Sequence, residues 1–439
     1  MALTFKGGFH IPDHKTLTCD KPIRALDGDS VHIFPLKQHI GAPLEAKVAK
    51  GDSVKVGQVL ADTDAFVATP VHSSISGTVT DIKPYLHPSG EKVMSIFIEN
   101  DFKYEKCDNI KPFNYTKMTV EQMLAVVRNS GIVGMGGAGF PTHVKLAPPP
   151  DKKVDTLIIN GAECEPYITA DHRRMLEMPD DIIDGIHIIM KILGLDKAYI
   201  GIETNKKDAI DVMREKAAKC GDIKVCPLKP KYPQGSEKQL IYAITKRCVP
   251  SGKLPADVGA VVVNIDTAAQ IAVTFRTGMP LIKRIVTVSG DCITEPANFE
   301  VYTGVTFDYL IKNAGGLTAD VKKIVMGGPM MGIAQFSLDA PVVKTTSSIL
   351  ALSDEGGNYD SYSPCIRCGK CVDRCPMRLS PMYLSQYALE GNLEMAEKYR
   401  ILDCMECGMC SYICPGKQNQ LHNIRIAKQK ILENRRKKK

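Results

Sequence analysis

A multidomain α/β protein is the fold class this sequence predicts, and three observations carry the prediction. Residues 30–100 are paced by glycines into short β-type runs, residues 114–278 alternate helical stretches with β-branched runs, and one cysteine motif occurs twice near the carboxyl end. A length of 439 residues with 44% hydrophobic residues suits about three to four compact units with buried cores.

Residues 1–29 have no sustained period and read as an extended arm. Over 30–100 the runs at 46–48, 51–54, 56–60, 70–71 and 77–79 predict a small all-β domain. It resembles the biotinyl/lipoyl barrel-sandwich fold. A carrier of that family presents a lysine at its hairpin tip, because only an amine forms the amide to the cofactor. The connecting residues 61–69 contain no lysine, so the fold is expected without the carrier function. Helical stretches at 120–128, 180–193 and 208–219 alternate with β-branched runs at 155–159, 198–202 and 261–265, which predicts a mainly parallel sheet over 114–278. A β-rich run at 282–290, a helix near 306–313 and the pair Gly315-Gly316 follow. This unit, 279–330, resembles the ubiquitin-like SLBB module. Residues 331–359 read as a connecting segment, 360–420 as a helical cysteine-bearing domain and 421–439 as a helical basic tail.

The net charge of +7 is local. Between Arg425 and Lys439 stand eight Lys/Arg and one acid, Glu433, so the rest of the chain is formally neutral. No general surface for nucleic acid is implied, and no motif supplies one. The apolar stretch 258–275 is interrupted by Asn264, Asp266 and Gln270, short of the ~20 apolar residues of a membrane helix. Residues 1–10 lack the regions of a signal peptide. A soluble, intracellular chain is expected, and in a reducing compartment its 15 cysteines point to metal or redox chemistry rather than disulfides.

The first motif is Cys365-x2-Cys368-x2-Cys371-x3-Cys375-Pro376, and the second is Cys404-x2-Cys407-x2-Cys410-x3-Cys414-Pro415. Two residues between thiolates let one loop take three corners of an iron-sulfur cube, while the fourth cysteine reaches the other cluster. Cys365, Cys368, Cys371 and Cys414 are therefore expected to hold one [4Fe-4S] cluster, and Cys404, Cys407, Cys410 and Cys375 the second. Two zinc sites are the alternative that C-x2-C pairs permit. Three evenly spaced cysteines with Cys-Pro, twice over, favour the clusters. The seven other cysteines (19, 107, 164, 220, 226, 248 and 292) show no ligand spacing.

Gly134-Met135-Gly136-Gly137-Ala138-Gly139-Phe140 contains a literal G-x-G-x-x-G, but helix formers rather than a strand precede it. The ordinary dinucleotide fingerprint therefore does not apply. Its glycines either free backbone N–H groups to approach a phosphate or flat ring, with Lys145 nearby, or simply make a turn. Residues 160–171, NGAECEPYITAD, follow a predicted strand, where α/β folds place ligand loops. Acid pairs in loops are also commonly just solvated.

Together the two segments resemble the FMN- and NADH-binding subunit of respiratory complex I. Across almost the whole chain the sequence is most similar to the C subunit of the Rnf complex, a membrane-bound ferredoxin:NAD oxidoreductase. The resemblance rests on Phe5-Lys6-Gly7-Gly8, the barrel-sandwich arm, GMGGAGFPTHVK, INGAECEPYITADHR, YPQGSEKQLI, GKLPADVGAVVVNIDTA and the doubled cysteine motif. It implies that Gly134, Gly136, Gly137 and Gly139 line FMN, that Lys145 and Asn160 hydrogen-bond it, and that Asn264 and Thr267 contact its phosphate. It further implies that Glu163 and Glu165 act beside flavin and nicotinamide, that Phe140 stacks in the dinucleotide pocket, and that Glu237 and Lys253 touch nucleotide. Met135, Ala162, Ser236 and Val263 depart from the complex I pattern at an Arg, an Asp, a Glu and an Asn. The complex I protein also has one such cluster where this chain has two motifs.

Hydride donors exchange two electrons and clusters one, so a flavin belongs between them. The resemblance thus implies an FMN- and iron-sulfur-dependent enzyme. Electrons would pass from ferredoxin, through an iron-sulfur partner subunit and two [4Fe-4S] clusters, to FMN and NAD(H), coupled by the complex to Na+ or H+ movement. It places the chain peripherally on the cytoplasmic face of the bacterial membrane, without a transmembrane helix. A microcompartment cobalamin reductase and a non-catalytic relay or scaffold subunit are the alternative readings. The basic tail is either a solvated helix end or a handle for anionic lipid or an acidic subunit.

Overall fold

The computed structural model describes residues 2–318, 320–353 and 363–437. Parts of the expected connecting segment and of the start of the cysteine-bearing domain, at 354–362, lie outside the described residues.

The glycine-paced region forms two antiparallel sheets around one core. Val31–Pro35, Lys92–Asn100, Gly77–Leu86 and Ser53–Val54 make the larger, and Glu45–Ala46, Val59–Asp62 and Val71–His72 the smaller. Phe34, Leu60, Ile75 and Ile96 are fully buried between them. A Cβ at Gly77 would stand 1.9 Å from the Glu99 carbonyl oxygen, which restricts that crossing to glycine. The lysine-free tip turns towards the next unit, where the Phe66 carbonyl meets His143 Nε2 at 3.3 Å.

The next unit is a four-stranded parallel sheet in the order Ile223–Leu228, Ala198–Glu203, Thr156–Gly161, Ala260–Asn264. Its strands are apolar almost throughout, as a sheet covered on both faces requires. Helices Pro179–Leu193 and Ile265–Thr277 pack so closely that a Cβ at Gly185 would lie 1.8 Å from the Ala268 carbonyl. Strand order reverses between Thr156–Gly161 and Ala260–Asn264, where Asn160 and Asn264 are register partners at the carboxyl ends. Open α/β sheets bind ligands at such a switch point.

A six-stranded mixed sheet follows, in the order Ile23–Ala25, Ala297–Tyr302, Lys283–Ser289, Ser348–Leu352, Lys323–Met326, Ile333–Gln335. Two expectations change here. The segment 331–359 is not merely a connection, because Ser348–Leu352 is buried and pairs with the central strand Lys283–Ser289. The arm 1–29 supplies an edge strand, and hydrogen bonds Leu3 N to Pro227 O and Gly8 N to Arg374 O stitch it across two further units.

The carboxyl end is helical. Short helices Lys370–Asp373 and Met409–Tyr412 each follow a left-handed glycine, Gly369 and Gly408, the conformation that lets the loop curl back on itself. The basic tail belongs to this core: helix Gln420–Lys437 buries Ile424, Ala427 and Ile431 beside Leu384 and Ile401. Arg425 and Lys428 turn inward to Glu406.

Candidate functional site

Cys365, Cys368, Cys371 and Cys414 wall one cavity of the carboxyl-terminal unit. Cys375, Cys404, Cys407 and Cys410 wall a second. Each has three thiols from one motif and one from the other, which is the donor set of a [4Fe-4S] cluster in a two-cluster domain. Burial pushes the Cys407 thiol up to about 12, so metal loading must displace protons.

The two cavities differ in exposure. In the first set Cys365 and Cys368 are exposed, Cys414 half-buried and Cys371 buried; in the second Cys375, Cys407 and Cys410 are buried and Cys404 is half-buried. The buried set faces the α/β unit. Tyr232 donates its hydroxyl proton to the Cys407 carbonyl at 2.8 Å. Gln239 Nε2 donates to the Pro376 carbonyl, and Ser236 Oγ lies 3.6 Å from Met405 Sδ.

At the switch point, the glycine loop lies between helices Val120–Asn129 and Thr142–Leu146, with no strand directly before it. Gly139 N bonds to the Gly134 carbonyl and Gly134 N to the Phe140 carbonyl, closing the loop on itself. Gly136 to Ala138 are exposed and Phe140 is half-buried. Gly137 has φ 113°, and a Cβ there would meet no atom within 4 Å, so its backbone borders open space. A Cβ on Gly136 would lie 3.3 Å from the Asn264 side chain. Thr267 Oγ1 accepts from Met135 N at 2.9 Å, and buried Arg284 holds the Met135 carbonyl and Asp266.

Asn264 Oδ1 caps the following helix by accepting from Asp266 N and Thr267 N, while its Nδ2 donates to Asp171. Asn160 donates to the Gly235 carbonyl at 2.8 Å. Lys145 Nζ pairs with Glu237 at 2.8 Å and donates to the Val262 carbonyl. Lys253 is exposed on a loop held by Asp403. Among the described residues, no hydrogen bond or ion pair links its ammonium to the crevice.

The acidic loop is clamped from below. Glu163 accepts from Asp171 N at 2.6 Å, and its Oε2 faces Lys15 Nζ at 3.7 Å without a hydrogen-bond donor among the described residues. Lys15 also donates to the carbonyls of Glu165 and Ile168, and Lys206 to that of Ala162. Asp171, buried beside Glu163 and Asp266, is pushed up to about 8. Glu165 points away from Glu163. Its carboxylate accepts from Met330 N and Met331 N, both at 3.1 Å, and stands 3.3 Å from the Tyr232 hydroxyl. Burial raises it to about 7.

Sequence reasoning missed four residues: Lys15, Lys206, Tyr232 and Lys344. Lys344 is fully buried and donates to the carbonyls of Pro70 and Gly131, both at 2.6 Å, tying three units together below the glycine loop. All four act through burial against distant segments, and burial is not written in spacing.

The open backbone at 136–138, the buried Glu163 oxygen that no hydrogen-bond donor reaches among the described residues, and the half-exposed Lys145 at a switch-point crevice fit a flavin mononucleotide. A flavin crevice against a buried four-thiol cavity, with a second cavity towards the surface, defines a flavo-iron-sulfur oxidoreductase. Family models agree in chain order: an RnfC barrel sandwich hybrid domain matches residues 3–103, a Nuo51 FMN-binding domain 127–273, an SLBB domain 285–334 and a 4Fe-4S dicluster domain 358–415. The chain belongs to the RnfC family, the C subunits of ion-translocating ferredoxin:NAD+ oxidoreductase complexes. It is 49% identical over 98% of its length to the RnfC protein of the proton-translocating complex of Clostridium ljungdahlii, covering 94% of that protein. It is 46% identical over 99% of its length to the Na+-translocating counterpart of Acetobacterium woodii, covering 98%. With the counterpart in the ion-translocating complex of Rhodobacter capsulatus the identity is 39% over 98% of this chain and 84% of that one.

Proposed function

We propose that this chain is the NAD(H)-binding flavo-iron-sulfur subunit of an Rnf-type membrane complex. It would pass electrons between reduced ferredoxin and NAD+, coupled by the complex to Na+ or H+ movement. One observation carries the reading: the inner four-thiol cavity meets the α/β unit at Tyr232, whose hydroxyl donates to the Cys407 carbonyl and stands beside Glu165, while the other set opens to the surface at Cys365 and Cys368. A partner iron-sulfur protein of the complex would deliver electrons at that exposed set. Among the described residues no helix is long and apolar enough to cross a membrane, which suits a peripheral position at the cytoplasmic face.

A bound flavin supplies exchange between a hydride and single electrons. The chain's own residues bind and orient. Gly136 and Gly137 bring backbone N–H groups to the ligand, Gly134 and Gly139 line it by closing the loop that presents them, and Lys145, Asn160, Asn264 and Thr267 fix polar positions around it. Glu163 sets the charge below. Phe140, Glu237 and Lys253 take the dinucleotide side. Glu165, under residues 328–331, acts through Tyr232 on the wall between crevice and cavity.

The test is purification with reconstituted clusters, followed by FMN and iron analysis and an assay of NADH-dependent dye reduction. Bound FMN, about eight iron atoms and activity are expected. A chain with neither FMN nor activity would leave only a relay or scaffold role.

A further inference from the structure

Far from these centres, three different metal-ligating side chains converge. His187 lies on helix Pro179–Leu193, and Cys220 and Asp222 flank Gly221 in the turn between helix Lys207–Ala218 and strand Ile223–Leu228. One donor atom from each lies within 4.8 Å of the other two. His187 Nε2 stands 3.2 Å from Asp222 Oδ2. Gly221, at φ 77°, reverses the chain so that Cys220 and Asp222 face the same way.

Two donors are held by regular structure. Ile186 and Ile188 are buried on either side of His187, and Asp222 gives its carbonyl to Ala198 N as it enters the edge strand. Cys220 is exposed in the turn and, among the described residues, holds a long contact, 3.9 Å from Sγ to the Lys216 carbonyl, which it can leave to close on them. The local charge favours a cation. Asp184, exposed one helical turn before His187, adds its field to that of Asp222 at the Cys220 thiol. The neighbouring cations are engaged elsewhere, Lys216 with Asp180 and Arg276 with Asp181.

We propose that His187, Cys220 and Asp222 form a binding site for a zinc-type divalent cation, with the fourth position open to water. An imidazole, a thiolate and a carboxylate select zinc or a similar first-row ion over magnesium or calcium, which prefer all-oxygen sites. Donors about 2.0–2.3 Å from one ion stand roughly 3.3–3.8 Å apart, so a small side-chain rotation closes the set. On binding, the Cys220 S–H bond gives way to an S–metal bond and the proton leaves to solvent. Asp222 precedes its strand, so the site sits at the end of the sheet opposite Asn160 and Asn264.

The experiment uses the full chain with reconstituted clusters. It is treated with ZnCl2 or MgCl2 and then with N-ethylmaleimide, and peptide mass spectrometry follows Cys220, with exposed Cys248 as the internal control. Zinc should slow Cys220 alkylation by about tenfold or more, leaving Cys248 unchanged, and magnesium should do nothing. His187→Ala and Asp222→Asn should each abolish the protection while NADH-dependent dye reduction stays at its wild-type rate. Cys220 alkylated equally fast with and without zinc, or protection that survives both substitutions, overturns the site.

Discussion

Replacing Glu165 by glutamine should flatten the dependence of thermal stability on pH between about 5 and 8. Burial holds the carboxyl at about 7, against an ordinary value of 4.5. Between those values the native state keeps a proton that the unfolded chain has released. The contribution is therefore complete below about 4.5 and lost as pH rises through about 7. The gap corresponds to about 3 kcal/mol, at about 1.4 kcal/mol per pKa unit, which is about 6 °C or more in Tm for a domain of this size. Glutamine cannot ionise. It offers one acceptor where two oxygens serve Met330 N, Met331 N and Tyr232, which lowers the variant's Tm at every pH without adding a slope. The assay is near-ultraviolet circular dichroism melting of the cluster-loaded protein, wild type and Glu165→Gln, across that pH range. Parallel Tm profiles would show that Glu165 is ionised throughout and that the reasoning from burial is wrong.

Three further outcomes are expected. Cys414→Ser should remove the exposed cluster and Cys375→Ser the buried one, each lowering iron from about eight to about four atoms; NADH should still reduce the remaining cluster in the first variant and not in the second, as read by electron paramagnetic resonance. Lys15→Met leaves Glu163 and two buried carbonyls without their cation, at a cost of about 3–5 kcal/mol, and should release FMN on gel filtration where wild type retains it. Gly137→Ala meets no atom but must hold φ 113°, a strain of about 1–3 kcal/mol that should weaken FMN binding about tenfold by fluorescence titration while leaving iron content at about eight atoms.

Local signals were legible in the sequence. The cysteine spacing anticipates both crossed cavities, because a ligand loop of three or four residues is a short-range object. Gly-paced runs and β-branched alternation anticipate the barrel sandwich and the parallel sheet for the same reason. Helix formers at 120–128 correctly argue against an ordinary Rossmann loop, since the Val120–Asn129 helix does stand before the glycines. Long-range contacts were not legible. Nothing at Lys15 or Lys344 announces that each will be buried against carbonyls from distant segments. The basic tail reads as a solvated helix end or a docking handle because charge counts ignore the pattern Ile424, Ala427, Ile431 that buries one face. Ser348–Leu352 is a short apolar run that becomes a strand only because Lys283–Ser289 and Lys323–Met326 flank it.

The unequal exposure of the two cysteine sets resembles an insulated lead stripped at one end. Met377, Met405, Met409 and Ile424 sheathe the inner cavity, while Cys365, Ile366 and Cys368 stand bare. Among the described residues the outer set gives charge arriving from outside its most open entry, and dioxygen as well. Air should therefore strip iron in a fixed order, outer set first, so that Cys375→Ser protein loses its remaining iron faster than Cys414→Ser protein does.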